Sequence, residues 1–431
     1  MTLAFTSCII ALFVLAAIGT PLALSMIVSA IVYLAVKGQD LGLAAEQIIQ
    51  GLYDSFLILA VPLFIVAANI MNAGTISDRL LQFCVALVGR FRGGLGHVNV
   101  VSNMIFAGMS GSAVADAVGL GKIIIGMMVK DNRYSPGYAA AITAAASTIG
   151  PIIPPSIPMV MYALVSDTSI GYLFLGGILP GVLMGIVLMM LNYKIAKERG
   201  FPIEESVPVS ELPTLTKRAF PALMMPVILL FGIYGGATTP TEAAAIAAAY
   251  ALLLATFFYR AISFKALYGI LAESSRATAS VGLVIGGALI FNYIVASENI
   301  PALVSNMMKG LNVSPLMFLI AINILFLILG CLIDATTIIL VIIPLFVPTC
   351  RALGIDMVHF GVVAVVNCMI GLITPPYGVL LFVVNAITGI PLKDMIREIW
   401  SFIGVLVAAL AIMIFIPDVV LFVPRMFGYG G

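Results

Sequence analysis

Two copies of a six-residue motif, 221 positions apart, contain the residues with the clearest chemical meaning. Residues 150–155 read G-P-I-I-P-P and residues 371–376 read G-L-I-T-P-P, so both fit the pattern G-x-I-x-P-P. Proline lacks a backbone donor and clashes with the preceding turn, so each proline pair predicts a break in an apolar helix. Broken backbone at membrane depth is tolerated only where protein or water covers it. Paired interruptions in the two halves of a membrane protein are typical of a transporter's binding site.

A cluster of small polar residues precedes each motif. Residues 108–117 contain Ser110, Ser112 and Asp116, and residues 330–337 contain Asp334. Glycine and serine favour tight turns, so each cluster predicts a hairpin of two short helices that enters the membrane and returns. Matching the two Asp-Ala pairs places Asp116 opposite Asp334, 218 positions away, which predicts a three-residue insertion in the second half.

A hairpin tip facing a broken helix presents the groups that bind a cation and an anion. Carbonyl and hydroxyl oxygens bind Na⁺, and helix N-termini attract a carboxylate. The pattern therefore predicts a cation-coupled site for an anionic substrate, present twice. Thr374 offers a hydroxyl where the first motif has Ile153, so the two cation sites are expected to differ.

Each of these polar residues also has a structural interpretation. The serines at 110 and 112 could simply pack helices closely. Asp116 and Asp334 are costly in lipid and must face a cavity or a partner; either could instead cap a hairpin helix. Ser156, which follows Pro155, could cap the resumed helix or contact the substrate.

Composition places these motifs in an all-α, polytopic membrane protein. The chain has 431 residues, of which 62% are hydrophobic and 9% charged, whereas soluble domains average roughly 25% charged residues. The apolar runs are too long and too rarely alternating for barrel strands. The net charge of +1 favours no nucleic-acid partner. The two histidines lack metal-ligand spacing, and the five scattered cysteines are expected to pack in the interior.

The apolar runs and the charges between them suggest how the chain is organised. The polar stretch 192–218 is rich in Lys and Arg and is expected to be cytoplasmic. Amphipathic segments at 76–92 and 262–276 are expected to lie at the interface, as equivalent arms before each hairpin. The first apolar stretch, 3–36, has no signal-peptide pattern and forms either two short helices or one kinked helix. Residues 239–242 predict a capping box.

These features predict five regions. They are a first scaffold region with an arm (1–98), a first hairpin and broken helix (99–164), a second scaffold region with an arm (165–315), a second hairpin and broken helix (316–387), and a C-terminal helix (388–431).

Three motifs in order resemble one family. They are G-G-x-x-T-P-T-E-A at 235–243, G-S-x-x-A-D at 111–116 and T-P-P-Y-G at 374–378. Together they resemble the large membrane subunit of tripartite ATP-independent periplasmic (TRAP) transporters, and the resemblance extends over nearly the whole chain.

The resemblance implies an elevator-type fold with two inverted repeats in the bacterial inner membrane. It implies uptake of an organic acid, such as sialic acid or a C4-dicarboxylate, coupled to two or more Na⁺ ions. A soluble periplasmic substrate-binding protein would deliver the substrate, and a separate small four-helix membrane subunit would complete the scaffold.

The resemblance also implies roles for individual residues. One Na⁺ site would use Ser110, Ser112, Gly150, Ile153 and Pro155, partly through backbone carbonyls. The other would use Gly330, Thr336, Gly371, Thr374 and Pro376, although the second hairpin departs from the Gly-Ser pattern at residues 330–332. The candidate substrate-binding residues are Ser112, Ser156 and Asp334.

Two other functions compete with this interpretation. One is a stand-alone ion-coupled carboxylate transporter or antiporter that needs no binding protein. The other is an intramembrane protease, but residues 108–112 lack the closing glycine of a serine nucleophile motif. Asp116 and Asp334 lack a Gly-x-Gly-Asp context as well, so the chain is not expected to be an enzyme.

Overall fold

The computed structural model describes residues 2–54, 56–72, 75–204, 207–208, 210–310 and 313–431. Within these ranges the regular elements are all helical, which confirms the predicted all-α class. In the first half they are α1 (Leu3–Ala17), α2 (Leu22–Lys37), α3 (Gly42–Asp54), α4 (Ala60–Asn72), α5 (Thr75–Val88), α6 (Gly94–Ser110), α7 (Ala113–Asp116), α8 (Lys122–Val129), α9 (Pro136–Ser147), α10 (Ile157–Ser166) and α11 (Ile170–Arg199).

The second half continues with eleven more helices in the described residues. They are α12 (Leu212–Tyr234), α13 (Pro240–Leu253), α14 (Phe264–Ser297), α15 (Ile300–Gly310), α16 (Pro315–Gly330), α17 (Ala335–Thr337), α18 (Ile343–Ala352), α19 (Met357–Gly371), α20 (Val379–Thr388), α21 (Leu392–Phe415) and α22 (Asp418–Met426). Short 3₁₀ turns occupy Phe56–Leu59 and Lys130–Asn132, and π-helical segments occupy Ala117–Gly121, Leu254–Phe258 and Ile338–Ile342.

Six helical stretches of the described chain are long and apolar enough to cross a membrane. Shorter apolar helices of 10–17 residues include α10, α16, α19 and α20, which belong to the hairpins and broken helices. The chain is therefore a polytopic membrane protein, as its composition predicts.

Two local predictions have a clear outcome. The first apolar stretch forms two helices, because α1 ends before Gly19, whose φ of +86° turns the chain. At the start of α13 the capping box is present: the Thr239 hydroxyl accepts from the Glu242 amide at 3.3 Å, and a Glu242 oxygen accepts from the Thr239 amide at 2.7 Å. The predicted capping box is thus confirmed, and it gives Glu242 a structural role.

The two halves repeat, but not in the alignment predicted from the Asp-Ala pairs. The π-helical segments 117–121 and 338–342 lie 221 positions apart, as do the starts of α9 and α19. Asp116 directly precedes the first π-helical segment, and Thr337 precedes the second. Ser112 and Asp334 are the equivalent residues instead, since each caps the short helix after its hairpin turn. The predicted equivalence of Asp116 and Asp334, and the insertion it required, are wrong.

The predicted pairing of the two arms is also wrong. Helix α5 covers the first predicted arm and leads directly into α6. The element that leads into α16 is α15, whereas residues 264–276 begin the 34-residue helix α14. At 1.5 Å per residue, α14 is roughly 50 Å long, so it extends beyond the hydrocarbon core of about 30 Å. Its polar start is the interfacial end of a spanning helix rather than a separate arm.

The helices pack in two groups. In the hairpin group, α9 packs on α21, α16 on α19, and α11 on α6, α19, α21 and α22. In the scaffold group, α13 packs on α4 and α12, and α14 on α2, α3 and α4. Helix α11, which the sequence places in the second scaffold region, thus contacts mainly the hairpin group. Which regions move together stays a prediction.

Candidate functional site

The first broken helix ends at Ser147 and resumes at Ile157. The prolines at 151, 154 and 155 supply no amide donors, so several carbonyls of the intervening turns lack helical partners. The carbonyls of Gly150, Ile153 and Pro155 accept no hydrogen bond from any described residue. These three residues belong to the Na⁺ site that the family resemblance implies for the first repeat.

Ser156 caps the resumed helix. Its hydroxyl accepts from the Met159 amide at 3.2 Å and donates to the Pro151 carbonyl. The side chain is fully buried. The capping interpretation is thus confirmed, and a contact between Ser156 and substrate stays a prediction.

The tip of the first hairpin lies directly on this break. Helix α6 ends at Ser110, Gly111 turns the chain with φ of +60°, and Ser112 caps α7 through the Ala115 amide at 3.4 Å. A Cβ atom on Gly111 would lie 2.5 Å from the Pro155 carbonyl oxygen, so only glycine allows this approach. The Ser110 hydroxyl is buried and accepts from the Ser112 amide at 3.4 Å.

Asp116 is the unexpected member of the first site. Its side chain is fully buried, and neither carboxyl oxygen has a hydrogen-bond partner among the described residues. A Cβ atom on Gly150 would lie 2.2 Å from Asp116 Oδ2, so the carboxyl lies against the Gly150 backbone. Ser110 faces the same carboxyl. Asp116 is thus no helix cap, and a buried carboxylate of this kind needs a proton or a cation.

The first site suits a small hard cation. It combines unpaired carbonyls, two serine hydroxyls and a carboxyl, and such cations prefer oxygen ligands. The half-buried Ile153 side chain packs on Gly181, so Ile153 can contribute only its carbonyl. No group of three or more His, Cys, Asp or Glu side chains converges in the part of the chain that is described. The donor set therefore fits an alkali cation better than a transition metal.

The second site has the same plan with different chemistry. Helix α16 ends at Gly330 and α19 ends at Gly371, and a Cβ atom on Gly371 would lie 2.6 Å from the Gly330 Cα. The Thr374 hydroxyl is buried and donates to the Ile370 carbonyl at 2.7 Å, which leaves its lone pairs available. The carbonyls of Gly330, Thr374 and Pro376 accept no hydrogen bond from a described residue, while the Gly371 carbonyl accepts from the Thr374 amide at 3.0 Å.

The second hairpin is the more open of the two. Asp334 is exposed and caps α17, accepting from the Thr337 amide at 3.0 Å and the Thr337 hydroxyl at 2.8 Å. Pro376 and Tyr377 are exposed as well, and Thr336 is half-buried. The capping interpretation of Asp334 is confirmed, and its exposure leaves the carboxylate accessible to a ligand.

The two sites share one core because each hairpin packs on the other repeat. Helix α10, which follows the first break, contacts α17, α18 and residues 338–342. Helix α20, which follows the second break, contacts α7, α8, α9 and residues 117–121. Each hairpin is therefore packed against the helix that leaves the other site.

Buried amides join each hairpin to its own broken helix. The Asn367 side chain donates to the carbonyl of Asn323 at 2.7 Å and to its side-chain oxygen at 2.9 Å. In the first repeat, the Asn103 side-chain oxygen accepts from the Ser147 hydroxyl at 3.2 Å. Both pairs are 44 residues apart, so they mark equivalent positions. None of these amides is among the candidate residues from the sequence, because their contacts appear only in three dimensions.

Comparisons with known proteins agree with this geometry. Residues 9–419 match the family described as tripartite ATP-independent periplasmic transporter, DctM component. The sialic acid TRAP transporter large permease protein SiaM of Vibrio cholerae is 41% identical over 414 residues, which cover 96% of each chain. The C4-dicarboxylate TRAP transporter large permease protein DctM of Pseudomonas aeruginosa is 40% identical over 375 residues, 87% of this chain and 88% of that protein.

Two further similarities concern architecture. The sialic acid TRAP transporter permease protein SiaT of Haemophilus influenzae is 36% identical over 95% of this chain but only 66% of its own length. The fold is similar to that of the Alcanivorax borkumensis YdaH transporter, with a TM-score of 0.60 at 15% identity over 85% of this chain and 86% of that one. From the family match, the identities and the apolar helices, the chain belongs to the DctM component family of TRAP transporters, multi-pass proteins of the bacterial inner membrane.

Proposed function

We propose that the chain carries out Na⁺-coupled uptake of an organic acid across the bacterial inner membrane. The observation that carries this proposal is the first site: the unpartnered, buried Asp116 carboxyl lies against Gly150, in a break with three unpaired carbonyls on which the hairpin tip at Gly111 packs. A buried negative charge without a partner favours cation binding. Transporters place coupling ions at such unwound backbone.

The second site would bind the second Na⁺ ion in this proposal. It offers carbonyls and the Thr374 hydroxyl but no buried carboxylate, because the equivalent of Asp116 is Thr337. We therefore expect weaker intrinsic affinity here, and binding that depends on the charge of the substrate. This arrangement would couple the second ion to the organic acid.

The relatives' names support an acidic substrate, but they do not distinguish sialic acid from a C4-dicarboxylate. A sialic acid permease and a C4-dicarboxylate permease are 41% and 40% identical to this chain. Both ligands carry a carboxylate, which could lie between the capped helix starts at Ser112 and Ser156, where N-terminal amides favour an anion. The exposed Asp334 is suited to accept hydrogen bonds from substrate hydroxyl groups.

The proposal includes two protein partners. The Haemophilus influenzae relative extends well beyond the part that this chain matches, and we propose that the remainder corresponds to a small membrane subunit that acts together with this chain. A periplasmic substrate-binding protein would deliver the acid, because the longest polar stretch, 192–218, offers no room for a capture domain.

We propose an elevator movement of the hairpin group against the scaffold group. The cross-packing of α10 and α20 makes the two hairpins one unit. Helices α11 and α21 would travel with that unit because they pack on α6, α9 and α19. Helices α5 and α15, which lead into the two hairpins, would act as its arms.

The test is uptake of radiolabelled sialic acid and succinate into proteoliposomes that contain the chain with the small subunit. An inward Na⁺ gradient and the binding protein should give concentrative uptake of one acid, and a K⁺ gradient should give none. Robust saturable uptake of free substrate without the binding protein would favour the stand-alone transporter. Uptake that ignores Na⁺ would overturn the coupling.

A further inference from the structure

A basic cavity outside the transport site lies where α5 meets the scaffold group. It has a volume of about 440 Å³ and is lined by Asp78, Arg79, Gln82 and Arg218. Arg79 and Gln82 are on α5, whereas Arg218 is on α12. The cavity thus lies between an arm and a scaffold helix.

Tyr259 fixes the two arginine-bearing elements relative to one another. The Arg79 guanidinium lies 4.4 Å from the centre of the Tyr259 ring. The Tyr259 hydroxyl donates to the Arg218 carbonyl at 2.9 Å. The Tyr259 ring therefore contacts Arg79 directly and the backbone of Arg218 through its hydroxyl.

The charge in the cavity is not balanced by the described residues. Neither Arg79 nor Arg218 forms a salt bridge with a described carboxylate. Asp78 lies in the first turn of α5, where the helix N-terminus stabilises its charge. The Asp78 carboxylate offsets one of the two guanidinium charges, so the cavity keeps a net positive charge that favours an anion.

The position of the cavity indicates where that anion comes from. The start of α5 contacts Tyr259, and Gly89 at its end accepts from the Glu204 amide at 3.3 Å, so both ends of α5 lie at the same end of the bundle. That end carries the basic stretch 192–218. By the positive-inside rule it faces the cytoplasm, where the leaflet is rich in anionic lipids. The buried side of α5 packs on the protein core, and the opposite side carries the polar residues that line the cavity.

We propose that the phosphate of an anionic phospholipid from the cytoplasmic leaflet binds in this cavity. The Arg79 and Arg218 guanidinium groups hold the phosphate, and the Gln82 amide is a further donor. The lipid bridges α5 to α12 and anchors the arm of the first hairpin to the scaffold. Inorganic phosphate has the same chemistry, so the experiment must separate the two sources.

The experiment uses the full chain in nanodiscs of phosphatidylethanolamine with or without phosphatidylglycerol, followed by native mass spectrometry of retained lipid. The double variant Arg79→Gln/Arg218→Gln is compared with Arg90→Gln/Lys265→Gln, which removes the same charge from exposed residues at the same end. We expect the first variant to lose phosphatidylglycerol adducts roughly tenfold, as removal of two basic contacts to anionic lipid implies. The control should retain them at the wild-type level.

Three results decide the proposal. Equal loss in both double variants, or equal retention of the two lipids by wild type, would overturn a specific site. Retention of inorganic phosphate by wild type in place of any phosphatidylglycerol adduct would assign the cavity to a free anion and reject the lipid. The Arg79→Lys/Arg218→Lys variant keeps both charges, so its retention of phosphatidylglycerol would support a charge-based site. Melting temperatures that match wild type in all variants would show that lost adducts do not reflect a loss of folding.

Discussion

At the scale of single residues, Asp116 links the sequence motif to ion binding. It is a fully buried carboxyl without a described partner, and it lies against Gly150 in the first broken helix. The sequence identified the residue but not its surroundings, because an Asp in a Gly-Ser-rich turn also suits a helix cap. Asp334 has the capping role instead. Which carboxyl is buried depends on the packing of distant segments, which no local pattern reports.

Replacing Asp116 by Asn removes the charge while keeping the shape of the side chain. We expect Na⁺-dependent uptake at limiting Na⁺ to fall at least about tenfold, because a lost charged contact is worth roughly 1.5–3 kcal/mol. Uptake into proteoliposomes over a range of Na⁺ concentrations measures the effect. The matched control is Asp167→Asn, since Asp167 adopts a left-handed conformation that asparagine tolerates. Unchanged Na⁺ dependence in Asp116→Asn would remove this carboxyl from the site.

Gly330 and Gly371 are expected to tolerate no side chain. A Cβ atom on Gly371 would lie 2.6 Å from the Gly330 Cα, so Gly371→Ala forces the hairpin off the broken helix. Overpacking of this kind typically costs about 1–3 kcal/mol. Melting temperature in detergent and Na⁺-driven uptake should both fall. Gly404→Ala, where a Cβ meets no atom within 4 Å, should leave both unchanged or raise stability slightly.

At the scale of elements, the elbow between α5 and α6 (residues 89–94) is held by the end of α11. The Asn192 side chain donates to the Gly93 carbonyl at 3.1 Å and accepts from the Tyr138 hydroxyl at 2.7 Å. Glu204 then pairs with Arg133 at 2.7 Å. The arm, the first hairpin and the start of α9 therefore meet at one fully buried amide.

Asn192→Ala should destabilise this elbow. It leaves the Tyr138 hydroxyl without its partner, and such a buried group costs about 1–3 kcal/mol. It also removes the side-chain donor to the Gly93 carbonyl, which keeps the Gly96 and His97 amides. Tyr138→Phe removes only one of the two bonds and should have the smaller effect. Thermal unfolding and limited proteolysis near residues 89–94 would report the difference. Equal effects of the two variants would show that the contact with the Gly93 carbonyl contributes little.

The sequence predicts some elements well and others poorly, for physical reasons. The breaks after Ser147 and Gly371 follow from proline chemistry, and the capping box at Thr239 follows from side-chain reach; both are local effects. The alignment of the two hairpins failed because α7 and α17 have only three or four residues and carry no periodic signal. The pairing of the arms failed because tertiary packing continues residues 264–276 into a long span.

At the scale of the whole molecule, the hairpin group is held together by contacts that cross between the repeats. The scaffold group touches it through α4, α12 and α14. One of these contacts joins Gly119 of the first hairpin to Asn72 at the end of α4. A Cβ atom on Gly119 would lie 3.7 Å from the Asn72 Cβ. That separation suits a disulfide bond, for which about 3.8 Å is typical.

A disulfide between Gly119→Cys and Asn72→Cys, with the five native cysteines replaced, should lock the hairpin group to the scaffold group. We expect oxidation to stop transport without disturbing assembly with the small subunit, and reduction to restore it. Full transport by the first pair with the crosslink formed would rule out an elevator.

The most direct test of the central claim is Na⁺ binding itself, measured as a Na⁺-specific rise in melting temperature without substrate or transport. A ligand at 100 times its Kd stabilises a protein by about 2.7 kcal/mol, so a K⁺-matched titration has ample range. Wild type and the remote variant Thr256→Ala should show the same Na⁺-specific shift, because the Thr256 hydroxyl bonds only within its own helix. Ser112→Ala and Thr374→Ala should each lose part of it, and Asp116→Asn most of it. An absent shift in wild type, or an undiminished shift in all three site variants, would contradict the assignment of Na⁺ to the two broken helices.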